Sequence, residues 1–288
     1  GIAGLAVASG MSAITYAIQT IAEAGDNIIS ASTLYGGTYN LFAHTLPQYG
    51  IEVRFADYRD PDAFEKLIDG KTKAVFCESV GNPLGNITDI EKLADIAHAH
   101  GIPLIVDNTV PSPYLWRPFD FGADIVVHAL TKYIGGHGTS IAGVIVDGGS
   151  FDFGADPEKF PGWNTPDESY HGVTYTQRFG LEGAYITKAT VQLMRDLGSI
   201  PSPHNCFLLN IGLETLPLRM QQHMRNTEKL VQFLADQPFV ARVGHPLLPS
   251  HPSHALAQKL LPRGAGSVFS FDIKGSRAQG KAFIEALK

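Results

Sequence analysis

Short apolar runs alternate with helically spaced segments through the first half of the sequence, and this alternation limits the fold more than any other feature. Residues 1–8 read as a buried strand, with an apolar run from Leu5 to Ala8. Between Met11 and Ala24 the apolar residues Ile14, Ile18 and Ile21 recur at helical spacing, and Gly25 stops that helix. Residues 27–31 are apolar again, and residues 51–56 alternate as a strand does. Asp60-Pro61 offers an N-cap with proline at the first helical position, and Gly70 ends the helix. Residues 73–78 read as a strand, residues 89–100 as a helix with Gly101 just beyond it, and residues 103–107 and 124–128 as further strands. Strands this apolar need cover on both faces, and the intervening helices supply it. The expected fold is α/β: three α/β/α layers around a mostly parallel sheet.

The pattern then changes. Residues 148–180 are rich in Gly, Pro, Asp and aromatic residues and read as a long irregular segment, a kind that is usually functional. A helical stretch follows over residues 205–237, with a break expected near Pro217. After Pro238 comes a mixed segment with a strand over residues 267–273. The expected division is a large domain, residues 1–220, and the start of a smaller C-terminal α/β domain, residues 221–288. The chain opens on Gly1 rather than Met and stops inside a helical pattern, residues 278–288, without a cap. Further sequence is therefore expected on both sides.

Composition narrows the function classes. With 44% hydrophobic and 17% charged residues, the 288-residue chain has ample material for a buried core. The net charge of −6 is scattered, with no basic run or acidic tail, which argues against nucleic-acid or anionic-membrane partners. Two distant cysteines, Cys77 and Cys206, make neither a disulfide framework nor a zinc site and suit a reducing cytoplasm. No apolar run approaches a membrane span, and no signal peptide is visible. His245, His251 and His254 lie among prolines with no regular element to align them, so no metal site is expected. His128 and His137 flank Lys132 and read as structural.

The chemistry should sit where the strands end, because open parallel sheets bind ligands at their carboxyl edge. Four such ends carry polar residues. Ser9-Gly10-Met11-Ser12 joins a strand to a helix and suits an anion at the helix N-terminus, or is simply a tight turn with a serine cap. Asp107 follows a largely apolar run, where an unpaired carboxylate is costly to bury; it could bind a metal, cap a helix or pair with a protonated pyridine nitrogen. Thr131-Lys132 lies between an apolar strand and Gly135-Gly136-His137-Gly138; such a lysine can approach a cofactor closely, or be an ordinary surface lysine. Glu78-Ser-Val-Gly-Asn82-Pro83 would line the same crevice, or be a polar turn. Each signal is modest alone, but their order on successive strand ends is specific.

In these residues the chain resembles the cystathionine γ-synthase/γ-lyase family, the Cys/Met metabolism family of fold-type I pyridoxal-phosphate enzymes. The most specific motifs are Val106-Asp107-Asn108-Thr109 and His128-Ala129-Leu130-Thr131-Lys132-Tyr133-Ile134-Gly135-Gly136-His137-Gly138. Ser9-Gly10-Met11, Leu34-Tyr35-Gly36-Gly37-Thr38 and Gly212-Leu213-Glu214-Thr215-Leu216-Pro217-Leu218-Arg219 add to them, so that the likeness runs along nearly the whole chain. The long segment with Trp163 and Ser169-Tyr170-His171-Gly172 points to the O-acetylhomoserine sulfhydrylase branch. Methionine γ-lyases usually place Cys where this chain has Gly37.

The resemblance implies a cofactor, pyridoxal 5'-phosphate, and a role for each matching position. Lys132 would carry the cofactor as a Schiff base. Tyr35 would stack on its ring and help protonate the leaving group. Asp107 would keep the ring nitrogen protonated, with Thr109 beside it in the cofactor-binding set. Gly10 and Met11 would give backbone amides to the phosphate and Thr131 its hydroxyl. Asn82 would bond the ring's phenolic oxygen, with Glu78 behind it. The implied reaction is γ-replacement, in which an amino-acid ester, O-acetyl-L-homoserine, exchanges acetate for sulfide and yields homocysteine. Lys132 would move the protons of Cα and Cβ. A dimer of dimers is implied, with the cofactor site shared between chains.

One position departs from the family. Ala129 stands where serine is usual, so one hydroxyl bond to the phosphate is missing, worth about 1.5–3 kcal/mol. The family's upstream Tyr-x-Arg element and its downstream carboxylate-binding arginine have no counterpart among these residues. Cystathionine γ-synthase and γ-lyase chemistry would use the same set, and a catalytically silent relic of the fold is a further alternative. A nicotinamide dehydrogenase would need G-x-G-x-x-G, but the pairs Gly136/Gly138 and Gly264/Gly266 are followed three residues on by Ile141 and Phe269.

Overall fold

The computed structural model describes residues 1–287. Strands β1 (Ala3–Val7), β2 (Asn27–Ala31), β3 (Glu52–Ala56), β4 (Thr72–Glu78), β5 (Leu104–Asp107), β6 (Ile125–Ala129) and β7 (Gly143–Asp147) form one sheet in the order β1-β7-β6-β5-β4-β2-β3. The pairs among β2 to β6 are parallel, whereas β7 is antiparallel to both β6 and β1. Because β7 reverses direction twice over, β1 runs in the same sense as β6. Its end at Val7 therefore opens on the same edge as the ends of β4, β5 and β6.

Burial explains the apolar runs. Every residue of β2 and β4 is buried, and so are Leu104, Ile105 and Val106 of β5. Each buried Ile, Leu, Val or Phe contributes roughly 1.5–3 kcal/mol. The expectation of a fully buried first strand is corrected: in β1 Leu5 and Val7 are buried but Gly4 and Ala6 are exposed, because β1 is the edge of the sheet. Strand β7 was not assigned from sequence. Its burial alternates, and its partner β6 lies immediately before it in sequence across the Lys132 turn.

Helices α1 (Gly10–Gln19), α2 (Gly36–Asn40), α3 (Pro61–Glu65), α4 (Ile90–Ala99) and α5 (Ser112–Leu115) connect these strands. Ser9 caps α1, its hydroxyl accepting the Ser12 amide at 3.0 Å, and Ala13, Ile14, Ala17 and Ile18 are buried. The helix ends at Gln19 and not at Ala24, because the Ile21 amide turns back to the Ile18 carbonyl and closes a tighter turn. Helix α3 likewise stops at Glu65, and Asp60 sits at its N-cap without a side-chain capping bond. Asp89 does cap α4, accepting the Lys92 amide at 3.3 Å.

The segment over residues 148–180 is more ordered than its composition suggests. It holds α6 (Pro161–Asn164) and the start of α7 (Tyr175–Lys188), with Gly180 at φ 59°, ψ −163° interrupting the helical backbone. Phe153 stacks on Trp163 at 3.9 Å between ring centres, and Tyr185 continues the stack. This aromatic block is the anchor that a Gly/Pro-rich composition conceals. After α8 (Arg195–Leu197), α9 (Pro203–Glu214) and α10 (Leu216–Ala235) are broken at Thr215, just before Pro217. Proline in the first turn of α10 loses no helical hydrogen bond.

Beyond α10 lie β8 (Val240–Gly244), α11 (His254–Leu260), β9 (Ser270–Ile273) and α12 (Arg277–Glu285), with β8 and β9 antiparallel. Val231, Leu234, Val240 and Val243 form a separate small core there. Of the helical pattern expected over residues 278–288, Lys288 lies outside the described residues. Among the described residues no helix is long and apolar enough to cross a membrane.

Candidate active site

A cavity of about 640 Å³ opens at the carboxyl edge of the sheet. Gly10 and Met11 reach it from the start of α1, and Tyr35 from the loop before α2. Glu78 and Asn82 reach it from the end of β4, Asp107 and Thr109 from the end of β5, and Thr131 and Lys132 from the turn after β6. All nine residues singled out in the sequence thus share one wall system.

The parallel register sets Glu78 of β4 directly beside Asp107 of β5. Glu78 is buried and Asp107 partly so, and burial is the main reason their pKa values rise; Glu78 is pushed up to about 8, with the Asp107 charge as the second cause. Hydrogen bonds from Thr109 oppose the rise at Asp107, whose Oδ1 accepts the Thr109 amide at 2.9 Å. Among the described residues neither acid has a cationic partner within salt-bridge distance. Glu78 instead accepts the Tyr35 amide at 2.5 Å and the Asn82 amide at 3.4 Å. One carboxylate therefore ties together the two loops that bring Tyr35 and Asn82 to the cavity.

The end of the cavity at the start of α1 has different chemistry. The first amides of α1 have no acceptor inside the helix and carry its partial positive charge. Gly10 is needed there because a Cβ would lie 2.6 Å from the Cβ of Ala129. We expect Gly10→Ala to cost about 1–3 kcal/mol by overpacking, read as a lower urea midpoint with unchanged m-value. The Thr131 hydroxyl donates to the Ala142 carbonyl at 3.2 Å and accepts the Ala142 amide at the same distance. The Thr109 hydroxyl accepts the Ala129 amide at 2.8 Å, locking the two strand ends together.

Pyridoxal 5'-phosphate fits this donor set. The paired acids without a cation suit a protonated ring nitrogen, and the helix start suits a phosphate. The buried Thr38 hydroxyl lines the cavity and has no hydrogen-bond partner in the protein. Thr38 received no role from the sequence although it sits in the Tyr35-Gly36-Gly37-Thr38 run. His223 and Tyr133 also line the cavity, their rings edge to face at 5.5 Å. His223 comes from α10, and no local signal in the sequence marks it.

The three histidines near the C-terminal end bind backbone. His245 Nε2 lies 3.0 Å from the Gly266 carbonyl, His254 Nδ1 lies 2.8 Å from that of Pro246, and His251 Nδ1 accepts the Ser253 amide at 3.1 Å. Among the described residues no group of three or more His, Cys, Asp or Glu is placed to hold a metal. His128 is buried in β6, and burial lowers its pKa to about 4, so the ring is neutral. His137 lies at the surface, its Nδ1 2.6 Å from the Gly135 carbonyl.

Comparison with known proteins matches residues 1–288 to the family described as Cys/Met metabolism PLP-dependent enzyme. The chain belongs to that family. It is 50% identical over 289 residues to the homocysteine synthase of Schizosaccharomyces pombe, covering all of this chain and 67% of that protein. It is 46% identical to the O-acetyl-L-homoserine sulfhydrylase of Leptospira meyeri, covering all of this chain and 66% of that one. A crystal structure of a putative O-acetylhomoserine (thiol)-lyase from Campylobacter jejuni, which contains pyridoxyl-lysine monophosphate, superposes with a TM-score of 0.91. It is 40% identical, over 94% of this chain and 67% of that one. The chain spans about two thirds of the length of the curated relatives it matches. The fold expected for a Cys/Met metabolism enzyme, a mostly parallel sheet covered by helices, is the fold observed.

Proposed function

We propose that this chain forms the catalytic body of a pyridoxal-phosphate enzyme that converts O-acetyl-L-homoserine and sulfide to L-homocysteine and acetate. The observation that carries the reading is the meeting of Lys132, the cation-free acids Glu78 and Asp107, and the start of α1 in one cavity. Sulfhydrylases and homocysteine synthases among the relatives support the choice of substrate.

When bound, the cofactor withdraws electrons from Cα of the amino acid attached to it. The chain's own residues supply the rest. Lys132 would hold the cofactor and, once displaced by the amino acid, carry a proton from Cα and then from Cβ. Asp107 would keep the ring nitrogen protonated, and that positive charge would in turn favour the carboxylate form of Asp107. Asn82 would bond the phenolic oxygen, and Glu78, through the Tyr35 and Asn82 amides, would hold both loops in place. Tyr35, half exposed at the cavity, would stack on the ring and give a proton to the departing acetate. Gly10, Met11, Thr131 and Thr109 complete the cofactor-binding set. Incubation with O-acetylhomoserine, sulfide and cysteine should yield homocysteine; formation of cystathionine or a 2-oxo acid alone would overturn the substrate assignment.

Ala129 gives a test of the phosphate site. Its Cβ faces Gly10, so Ala129→Ser would place a hydroxyl beside the α1 amides. The expected gain is about 1.5–3 kcal/mol, or about 10- to 10²-fold tighter cofactor binding by fluorescence titration.

We also propose a homo-oligomer, a dimer of dimers. The exposed apolar residues Phe207, Ile211 and Leu218 on α9 and α10 support an interface between copies. Light scattering at micromolar concentration should give a mass above that of the monomer. The two-domain division, residues 1–220 and 221–288, is retained as part of the proposal, with α10 continuous through the junction. A cytoplasmic location is supported by two unpaired cysteines, Cys77 and Cys206.

A further inference from the structure

Gly135 and Gly136 follow Lys132 closely, in the Gly-rich stretch beside which that lysine can approach a cofactor. Their surroundings give the reason for the glycines. A Cβ at Gly136, which sits at φ 72°, would lie 2.1 Å from Nη1 of Arg219. A Cβ at Gly135 would lie 2.8 Å from Leu209, and one at Gly212 would lie 2.1 Å from the Gly135 carbonyl. The glycines make room for the elbow between α9 and α10, which presses against the back of the Lys132 turn.

From that elbow Arg219 reaches into the turn. Its Nη1 donates to the Tyr133 carbonyl at 2.6 Å, and its Nη2 to the Ile134 carbonyl at 3.1 Å. Nη2 also donates to the Gly212 carbonyl at 2.6 Å, and Nε to the Thr215 hydroxyl at 3.0 Å. Among the described residues no carboxylate lies within 4.0 Å of the guanidinium, so its bonds go to the main chain and one hydroxyl. Inside the turn the Gly136 amide binds the Lys132 carbonyl and the Gly135 amide binds the Leu130 carbonyl, both at 2.8 Å. The carbonyls of Lys132, Tyr133 and Ile134 are all thereby fixed, two of them by one side chain.

We propose that Arg219 is a positioning residue for Lys132, holding the turn so that the lysine amine meets the reacting carbon at a fixed distance and angle. The inference rests on the reading of Lys132 as the cofactor-bearing, proton-moving residue. A planar fork can bind two successive carbonyls at once; a lysine ammonium cannot reproduce that geometry. Misplacement of a reacting group by about 1 Å costs about 10²-fold in rate, so a loosened turn should be felt in chemistry more than in binding.

The test compares Arg219→Lys, Arg219→Met and the milder Thr215→Val in the cofactor-loaded protein, with rates divided by bound cofactor. In the parent, borohydride fixation and peptide mapping must find the cofactor on Lys132; its absence there refutes the underlying reading, not this one. With fixation on Lys132, kcat should fall about 10²-fold in both Arg219 variants while KM for the amino acid stays within about twofold. The circular dichroism of the bound cofactor in the visible should change sign or intensity, and Thr215→Val should move both readouts the same way by less. A kcat per cofactor within about twofold of the parent, with an unchanged visible band, would overturn the proposal. If the Arg219 variants do not fold, Thr215→Val decides by the same two readouts.

Discussion

Lys132→Ala is expected to abolish homocysteine formation and leave the fold intact. Two roles meet in that side chain, attachment of the cofactor and movement of protons at Cα and Cβ. The proton transfers alone contribute about 10²–10⁴-fold to a rate. The fold should survive because the Lys132 side chain is exposed at a cavity, and surface substitutions usually stay within about ±0.5 kcal/mol. The turn itself is held by main-chain bonds and by Arg219, none of which uses the lysine amine. Turnover should be measured beside far-ultraviolet circular dichroism and a urea melt. Retained turnover with an unchanged spectrum would remove Lys132 from the mechanism.

Asp107→Asn should also lower turnover, and the sign of its effect differs between activity and stability. The carboxylate is the group that would balance a protonated ring nitrogen. Losing that charge-assisted bond removes about 1.5–3 kcal/mol, or about 10- to 10²-fold in turnover per bound cofactor. Without cofactor the same carboxylate is a burden. Glu78 is raised to about 8 by burial and by the neighbouring Asp107 charge. Between its unfolded pKa, about 4.3, and this folded value the folded state holds a proton that the unfolded state has lost. Stability of the cofactor-free protein should therefore fall as pH rises through that window, by up to about 1.4 kcal/mol per pH unit. Asp107→Asn takes away one cause of the shift, so the decline should end at a lower pH and the variant should be the more stable form near neutrality. Urea melts of both proteins across the window would check this. Identical pH profiles would show that the two acids do not feel each other.

Local pattern in the sequence determined the elements and the chemistry at their ends. Residues 27–31, 73–78 and 103–107 could be read as strands because apolar runs of that length, bounded by turn residues, have few other uses. Asp107 and Lys132 stood out because a charged residue closing or following such a run must have a reason to be there. What residues far apart do to each other was decided only by the tertiary structure. The place of β7 between β1 and β6 set which edge β1 opens on, and with it whether Ser9, Gly10 and Met11 meet Lys132 at all. The register of β4 against β5 put Glu78 beside Asp107, whose charge adds to burial in raising the Glu78 pKa, which Glu78's own neighbours in sequence could not do. Stacking of Phe153, Trp163 and Tyr185 ordered a segment whose composition reads as loop. Gly135 and Gly136 showed in the sequence only as a Gly-rich stretch after Lys132, whereas their missing Cβ atoms admit Leu209 and Arg219. Backbone preference and periodicity act over a few residues and are written in order along the chain. Desolvation, close packing and hydrogen bonding across the sheet depend on which distant residues become neighbours, and folding alone settles that.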